Sequence, residues 1–523
     1  MTLIPRLVVA VFCCVGLQSA RALAANDDAA GLERPNILFA FADDQSWLHT
    51  SFNGCPVVRT PHFDRIAREG VSFTHCFSAC PSCTPSRSAV LTGQDIWRLE
   101  QAGVLYGSIP QDTPLFPLQL ADSGFYVGYT GKGWVPGDAA ALGLTRYPIG
   151  SEHNDARNRF VAAGLNDQDY SANFRQFLKD RPDDAPFFFW FGCKEPHRVY
   201  ENGIGKRLGK KTRDVRLPKF FPDHKIVRSD VLDYCAEIEY FDQQLGEMLD
   251  QLELIGELDN TIVVVTSDNG MPFPRCKTTL YDWGVRMPLA IRWRRIPRNR
   301  SVDDFVLLTD LAPTFLQAAG LPIPEATTGS SLLPILTSAR EGRIETARDH
   351  VVTAVERHTW CRPKGATYPS RAIRNYDYLY IRNFEPDRWP TGGPSFVSSN
   401  KTFHGDVDAC PTKTFMVDQQ SEYPVEYELC FGKRPLEELY DVRNDPDQVS
   451  NLAGNAEYAA IKSRLWQRLQ AKLKSGNDPR INGRDPWQGY AYRQTNGFGA
   501  TFNTSLSEAE RQRARERASH KPE

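Results

Sequence analysis

Four short apolar runs stand out along the chain. They are Asn36 to Ala42 (NILFAFA), Phe125 to Tyr129 (FYVGY), Pro186 to Phe191 (PFFFWF) and Thr261 to Thr266 (TIVVVT). None shows the strict alternation of a strand with one wet face. Near-continuous runs suit strands buried on both faces of a parallel sheet. Stretches with helical spacing lie between them, among them His62 to Glu69 and Val231 to Leu254. This alternation predicts an α/β fold, with helices covering the sheet. A polar cluster follows each run closely: Asp43-Asp44, Gly131-Lys132, His197 and Asp268-Asn269. Open α/β sheets bind ligands beyond the carboxyl ends of their strands, so these four clusters are predicted to converge on one site.

Past about Pro324 the pattern changes. Arg340 to Arg348 is polar and reads as a linker, Tyr376 to Ile381 (YDYLYI) as an antiparallel strand, and Ala459 to Leu473 as a helix. The expected organisation is a catalytic domain over 34–345, a smaller α+β domain with an antiparallel sheet over 346–475, and an extension over 476–523. The charged stretch Ser505 to Glu523 should leave that extension partly disordered. At the other end, Arg6 precedes an apolar run from Leu7 to Leu17, and Ala22-Leu23-Ala24 supplies small residues for cleavage. Residues 1–25 therefore read as a signal peptide, and the mature protein as secreted or periplasmic. The run is short for a bilayer span, and no later segment is apolar enough for one, so no stable membrane insertion is expected.

The chain has 523 residues, enough for a large domain plus a smaller one, and a formal net charge of −2. No basic field draws in nucleic acid, so an anionic ligand needs a local cluster of cations. Removing Cys13 and Cys14 with the leader leaves ten of the 12 cysteines. Export permits disulfides, but their pairing is not readable from spacing. Cys76, Cys80 and Cys83 lack a second zinc-like pair, which argues against zinc.

The chemistry centres on Cys83-Thr84-Pro85-Ser86-Arg87, followed by Leu91-Thr92-Gly93. Pro85 suits a first helical turn, which puts Cys83 at a helix N-terminus, where free N–H groups favour an anion. Arg87 lies one turn on and can face the same anion. A buried or disulfide-bonded cysteine is the plainer reading of this segment alone. Asp43, Asp44, Asp268 and Asn269 offer hard oxygen ligands suited to calcium or magnesium. Taken singly, they also read as a helix N-cap and an Asn-Gly turn.

The Cys83-x-Pro85-Ser86-Arg87 pentapeptide with Leu91-Thr92-Gly93 resembles the signature of type I sulfatases. The resemblance runs from Arg34-Pro35-Asn36 to Leu439-Tyr440-Asp441 and Asn451-Leu452-Ala453. It implies an alkaline-phosphatase-like domain with a mixed, mostly parallel sheet. It also implies that Cys83 is oxidised to formylglycine by a formylglycine-generating enzyme or an equivalent maturase. One hydroxyl of the aldehyde hydrate then attacks sulfur, and the other expels the covalent sulfate. One calcium ion is implied at Asp43, Asp44, Cys83, Asp268 and Asn269. Lys132 in Gly131-Lys132, His197 in Glu195-Pro196-His197-Arg198, and Lys277 beyond Asp268-Asn269-Gly270 match the family's sulfate-binding positions. Lys132 and Lys277 are expected to clamp sulfate oxygens, and His197 to act as general acid to the leaving group.

Glu195-Pro196-His197-Arg198 and Ser267-Asp268-Asn269-Gly270-Met271-Pro272-Phe273-Pro274 most resemble the heparan N-sulfatase subgroup, which implies a sulfated saccharide as substrate. The chain departs from the family at Trp134, where a histidine is usual; stacking on a sugar is one use for the indole. Glu356, Arg357 and His358 open the smaller domain, and Glu356 and His358 are expected to bind substrate. Trp360, Trp389 and Tyr368 are candidates for sugar stacking, with core packing the commoner fate of such residues. Two other readings stay open: a phosphate or phosphonate ester hydrolase of the same superfamily, and a degenerate sulfatase that binds sulfated glycans without efficient turnover.

Overall fold

The computed structural model describes residues 34–137, 139, 146–158, 165–398 and 402–490. The 1–25 leader and the Ser505–Glu523 tail lie outside them. The described residues from Pro35 onward form one compact unit. Among the described residues no helix is long and apolar enough to cross a membrane.

The larger sheet contains β1 (Asn36–Ala42), β2 (Val71–Phe77), β3 (Tyr126–Gly131), β4 (Ser151–Glu152), β5 (Phe187–Gly192), β6 (Thr261–Ser267), β7 (Arg286–Arg292), β8 (Arg300–Val302) and β9 (Val306–Leu307). Its order is β4-β3-β5-β1-β6-β7-β2-β8, with β9 also on β2. β7 pairs antiparallel with both β6 and β2, and every other pairing is parallel. The sheet is thus mixed and mostly parallel, as expected.

Burial on both faces explains the continuous apolar runs. In β1, Ile37, Phe39 and Phe41 join one core cluster, while Leu38, Ala40 and Ala42 join the cluster on the opposite face. The register then aligns the strand ends: Phe41 and Gly131 both sit opposite Gly192, and Ala42 sits opposite Ser267. Four loops therefore leave the sheet at one level. Gly131 has φ 75°, and a Cβ there would meet the Gly192 carbonyl oxygen at 2.1 Å, so glycine is required where β3 and β5 turn out together.

A second, antiparallel sheet has the order β10-β11-β12-β13, formed by β10 (His350–Val355), β11 (Ser370–Asn375), β12 (Tyr378–Asn383) and β13 (Glu437–Asp441). Its Val351, Ile373 and Leu439 share a core with Phe77, Cys80, Ala89 and Trp97 of the larger sheet's surroundings. The helix Ala459–Ser475 contributes Leu465, Leu469 and Leu473 to the same core. This packing backs the segment leading into Cys83. The Arg340–Arg348 stretch is pinned rather than loose: Gly342 N–H donates to Ser301 O (2.9 Å), and Arg348 pairs with Asp310 (2.7 Å). Past it, Asp478 to Trp487 folds back into the core. Asp478 and Glu356 bind Arg371, Glu356 also binds Arg480, and the Trp487 indole donates to Glu100 O (2.8 Å).

Candidate active site

Cys83 opens the helix Cys83–Thr92, whose every residue is buried. Its Sγ lies 3.6 Å from Asp43 Oδ1 and 4.0 Å from Asp44 Oδ1. One turn on, Arg87 is fully buried. Its Nε donates to Asp268 Oδ2 (2.8 Å), its Nη1 to the carbonyls of Lys132 and Gly133 (3.0 Å each), and its Nη2 approaches Asp43 Oδ1 at 3.6 Å. Arg87 thereby ties the helix to the loops after β1, β3 and β6. Ser86 adds a bond from Oγ to Asp268 O (2.6 Å).

The acidic loops are fixed by backbone bonds. Asp43 N–H donates to Glu195 O (3.1 Å), and Asp44 N–H to Asp268 Oδ1 (3.1 Å). Asp44 adopts φ 74°, a left-handed conformation that aspartate tolerates better than most residues and that turns the chain sharply off the strand. The helix Lys225–Leu254 supports this turn, with the Tyr234 hydroxyl donating to Asp44 O (3.3 Å).

The cations pair with these carboxylates. Lys132 Nζ donates to Asp43 Oδ2, and Lys277 Nζ to Asp44 Oδ2 (2.7 Å). His197 Nε2 is 3.8 Å from Asp44 Oδ2, and its Nδ1–H donates to Arg198 O (2.7 Å), which leaves Nε2 facing the site. Arg198 is in turn locked by a fork onto Asp230 (2.8 and 3.0 Å) and by stacking on Tyr200 and Phe273. A cleft of ≈ 470 Å³ opens beside this cluster, lined by Asp43, Lys132, Lys194, His197 and Glu237 among others.

Burial pushes the Asp43 carboxyl up, but Lys132, His197, Arg87 and Lys277 outweigh it and hold the group well below the usual carboxylate range. Burial pushes Asp268 up to about 6, and repulsion from Asp43 and Asp44 adds to the rise against the pull of Arg87 and Lys132. The Cys83 thiol is driven far up, by burial first, despite Lys132 and Lys277. An unmodified thiol here stays protonated at neutral pH and makes a poor nucleophile.

The donor set fits a hard divalent cation. Ligand atoms of Asp43, Cys83 and Asp268 lie within 4.8 Å of one another. Asn269 Nδ2 donates to Asp44 Oδ1, while its buried Oδ1 has no hydrogen-bond partner. An orphaned amide oxygen beside three crowded carboxylates calls for a cation with oxygen ligands. Among the described residues none of the ten cysteines forms a disulfide.

Not every expected residue is brought to this rim. His358 is: its Nδ1 lies 2.8 Å from Ser82 Oγ at the start of the Cys83 helix. Glu356 is instead sealed inside the second sheet, bound by Arg371 (2.6 Å) and Arg480 (2.5 Å), which leaves no oxygen turned toward a substrate. Arg357 donates to Gly365 O (3.1 Å) and Tyr490 O (3.1 Å). Trp134 cannot stack on a sugar: the indole is fully buried, with Nε1–H donating to Ser88 Oγ (2.9 Å). Tyr368 is likewise buried. One residue was not anticipated. Asp408, in the loop before the helix Pro411–Asp418, pairs with Lys277 (3.2 Å), and nothing in its local sequence marks it.

Residues 35–321 match the family model "Sulfatase", and residues 276–388 match "N-sulphoglucosamine sulphohydrolase, C-terminal". The chain is 27% identical to the N-sulphoglucosamine sulphohydrolase of Homo sapiens, over 85% of this chain and 91% of that protein. It is 26% identical to an ulvan-active sulfatase of Formosa agariphila, over 85% of this chain and 82% of the other. A structure solved with its substrate D-glucosamine-2-N,6-O-disulfate superposes with TM-score 0.61 at 22% identity, over 86% of this chain and 100% of that one.

Proposed function

The chain belongs to the sulfatase family, and from that we propose that it hydrolyses the sulfate ester or sulfamate of a sulfated saccharide, with an aldehyde made from Cys83 and a calcium ion held by Asp43, Asp44, Asp268 and Asn269. The observation that carries the reading is the meeting of Cys83, four oxygen-donor side chains and three buried cations at one rim of the sheet. A saccharide with sulfated glucosamine fits best, because the relatives and the C-terminal family match include enzymes named for it.

The charges favour a sulfate guest. Asp43, Asp44 and Asp268 are balanced by Arg87, Lys132 and Lys277. A bound divalent cation would supply the Lewis acidity that draws charge from a sulfate oxygen, and would leave the cluster net positive toward the singly charged sulfate ester or sulfamate. The oxidised side chain at position 83 would supply a hydroxyl nucleophile in place of the reluctant thiol. Arg87 keeps the helix start and Asp268 in register, while Lys132 and Lys277 hold sulfate oxygens in line for attack. His197, with Nδ1–H engaged by Arg198 O, keeps Nε2 for proton donation to the leaving oxygen or nitrogen. Where the family usually has a histidine after Gly131-Lys132, Trp134 offers no base, so release of sulfate falls to His197 or water. A plain phosphatase of this superfamily would be expected to carry Ser or Thr in place of Cys83. We place the enzyme outside the cytoplasm, exported by residues 1–25 and matured by a formylglycine-generating enzyme or its equivalent.

Mass spectrometry of the peptide containing Cys83, joined to turnover assays with sulfated glucosamine saccharides, tests the proposal. An aldehyde at position 83 and turnover lost in Cys83→Ala are expected. A free thiol in a protein that hydrolyses sulfate as well as Cys83→Ala does would refute it.

A further inference from the structure

Lys277 is held between two carboxylates of different character. Asp44 is fully buried, whereas the Asp408 side chain is 25% exposed. Asp44, His197 and Asp408 bring ligand atoms within 4.8 Å of one another, so Asp408 stands with His197 on the open side of the site. A carboxylate beside a sulfate-binding lysine works against anion binding unless it serves another group of the same ligand.

The loop carrying Asp408 is built to hold it there. Asp406 accepts from Thr359 N–H (2.6 Å), Thr359 Oγ1 (2.8 Å) and Arg362 (2.7 Å). The buried Lys413 ammonium donates to Val407 O (2.7 Å) and His404 O (3.0 Å). Thr278, next to Lys277, donates to Asp406 O (3.3 Å). Such anchoring on both sides pre-positions a carboxylate rather than letting it follow Lys277. Lys277, His197 and His358 keep Asp408 far below the usual carboxylate range, although burial alone would raise it. It therefore offers only acceptor oxygens.

We propose that Asp408 is a specificity-determining residue that accepts a hydrogen bond from a hydroxyl or amine of the sugar ring bearing the scissile sulfate. The inference rests on the saccharide sulfatase reading above. It assigns to one carboxylate, reached from the C-terminal part of the chain, the task of reading the ring rather than the sulfate.

Calorimetric binding in a Cys83→Ala background tests it without turnover. The probes are inorganic sulfate, D-glucosamine-2-N-sulfate and D-glucosamine 6-O-sulfate. Adding Asp408→Asn or Asp408→Ala should weaken the saccharide that the parent binds best by about 10-fold or more, the scale of a lost charge-assisted hydrogen bond. Inorganic sulfate, which has no ring, should bind equally or more tightly once a negative charge is gone. Equal weakening of all three probes would reduce Asp408 to a support for Lys277 and overturn the proposal, as would unchanged saccharide binding. A parent that binds inorganic sulfate but neither saccharide would overturn the saccharide reading itself.

Discussion

Removing the Arg87 side chain would expose how much of the site's order depends on one guanidinium. In Arg87→Ala, Asp268 loses its 2.8 Å partner, Asp43 loses a positive neighbour at 3.6 Å, and the carbonyls of Lys132 and Gly133 lose their 3.0 Å donor. Arg87 and Asp268 are both fully buried, so water cannot replace the bonds cheaply. Breaking one side of a buried ion pair costs about 3–5 kcal/mol. For a chain of this size that corresponds to a thermal midpoint lower by on the order of 3–5 °C. The assay is thermal unfolding with chelator present, so that no cation offsets the lost charge. Arg87→Lys should recover part of the loss, because an ammonium keeps the charge but not the fork that reaches Asp268 and two carbonyls together. A midpoint for Arg87→Ala within about 1 °C of the wild type would refute the argument that this side chain joins the three loops.

Exhaustive chelation should lower activity and calcium should restore it, with a thermal gain of about 2.7 kcal/mol at a hundredfold excess over Kd that Asp268→Asn largely removes; full activity after chelation would count against the acidic site. His197→Ala should cut saccharide turnover by about 10²–10⁴, yet spare 4-nitrophenyl sulfate, whose leaving group needs little protonation; equal losses on both substrates would rule out an acid role. Burial, aided by Lys277, lowers His358 from 6.5 to about 4. Its contribution to stability is therefore full above pH 6.5 and lost as pH falls through 4, about 3 kcal/mol in all; His358→Gln should flatten that part of the stability profile. Trp134→Ala should destabilise the fold by about 3–5 kcal/mol while leaving saccharide KM unchanged at low temperature; a selective rise in KM would return the indole to the substrate.

The strands were legible because their burial on both faces leaves a mark in composition, and β1, β5 and β6 are buried throughout. The metal-type residues were legible for a related reason: each follows a strand directly, and parallel strands deliver their ends to one level. Glu356 misled because a sequence does not show who a carboxylate's partners are; Arg371 and Arg480 stand 15 and 124 positions away. Trp134 misled because the contact that fixes its indole, to Ser88, lies 46 positions away. The indole also packs against nearby Gly137, where a Cβ would lie 2.4 Å from the ring, and Ser88 belongs to the helix Cys83–Thr92. Asp408 escaped notice because its partner Lys277 lies 131 positions away and no motif surrounds it.

The return of Asp478, Arg480 and Trp487 into the interior sets a timetable for biosynthesis. Arg371 and Glu356 can pair with each other early, but each lacks its second partner, Asp478 or Arg480, and the Glu100 carbonyl lacks its indole, until a ribosome has made almost all of the described chain. The core behind the segment leading into position 83 is therefore among the last parts of the interior to be completed, since Leu465, Leu469, Leu473 and Trp487 all belong to it.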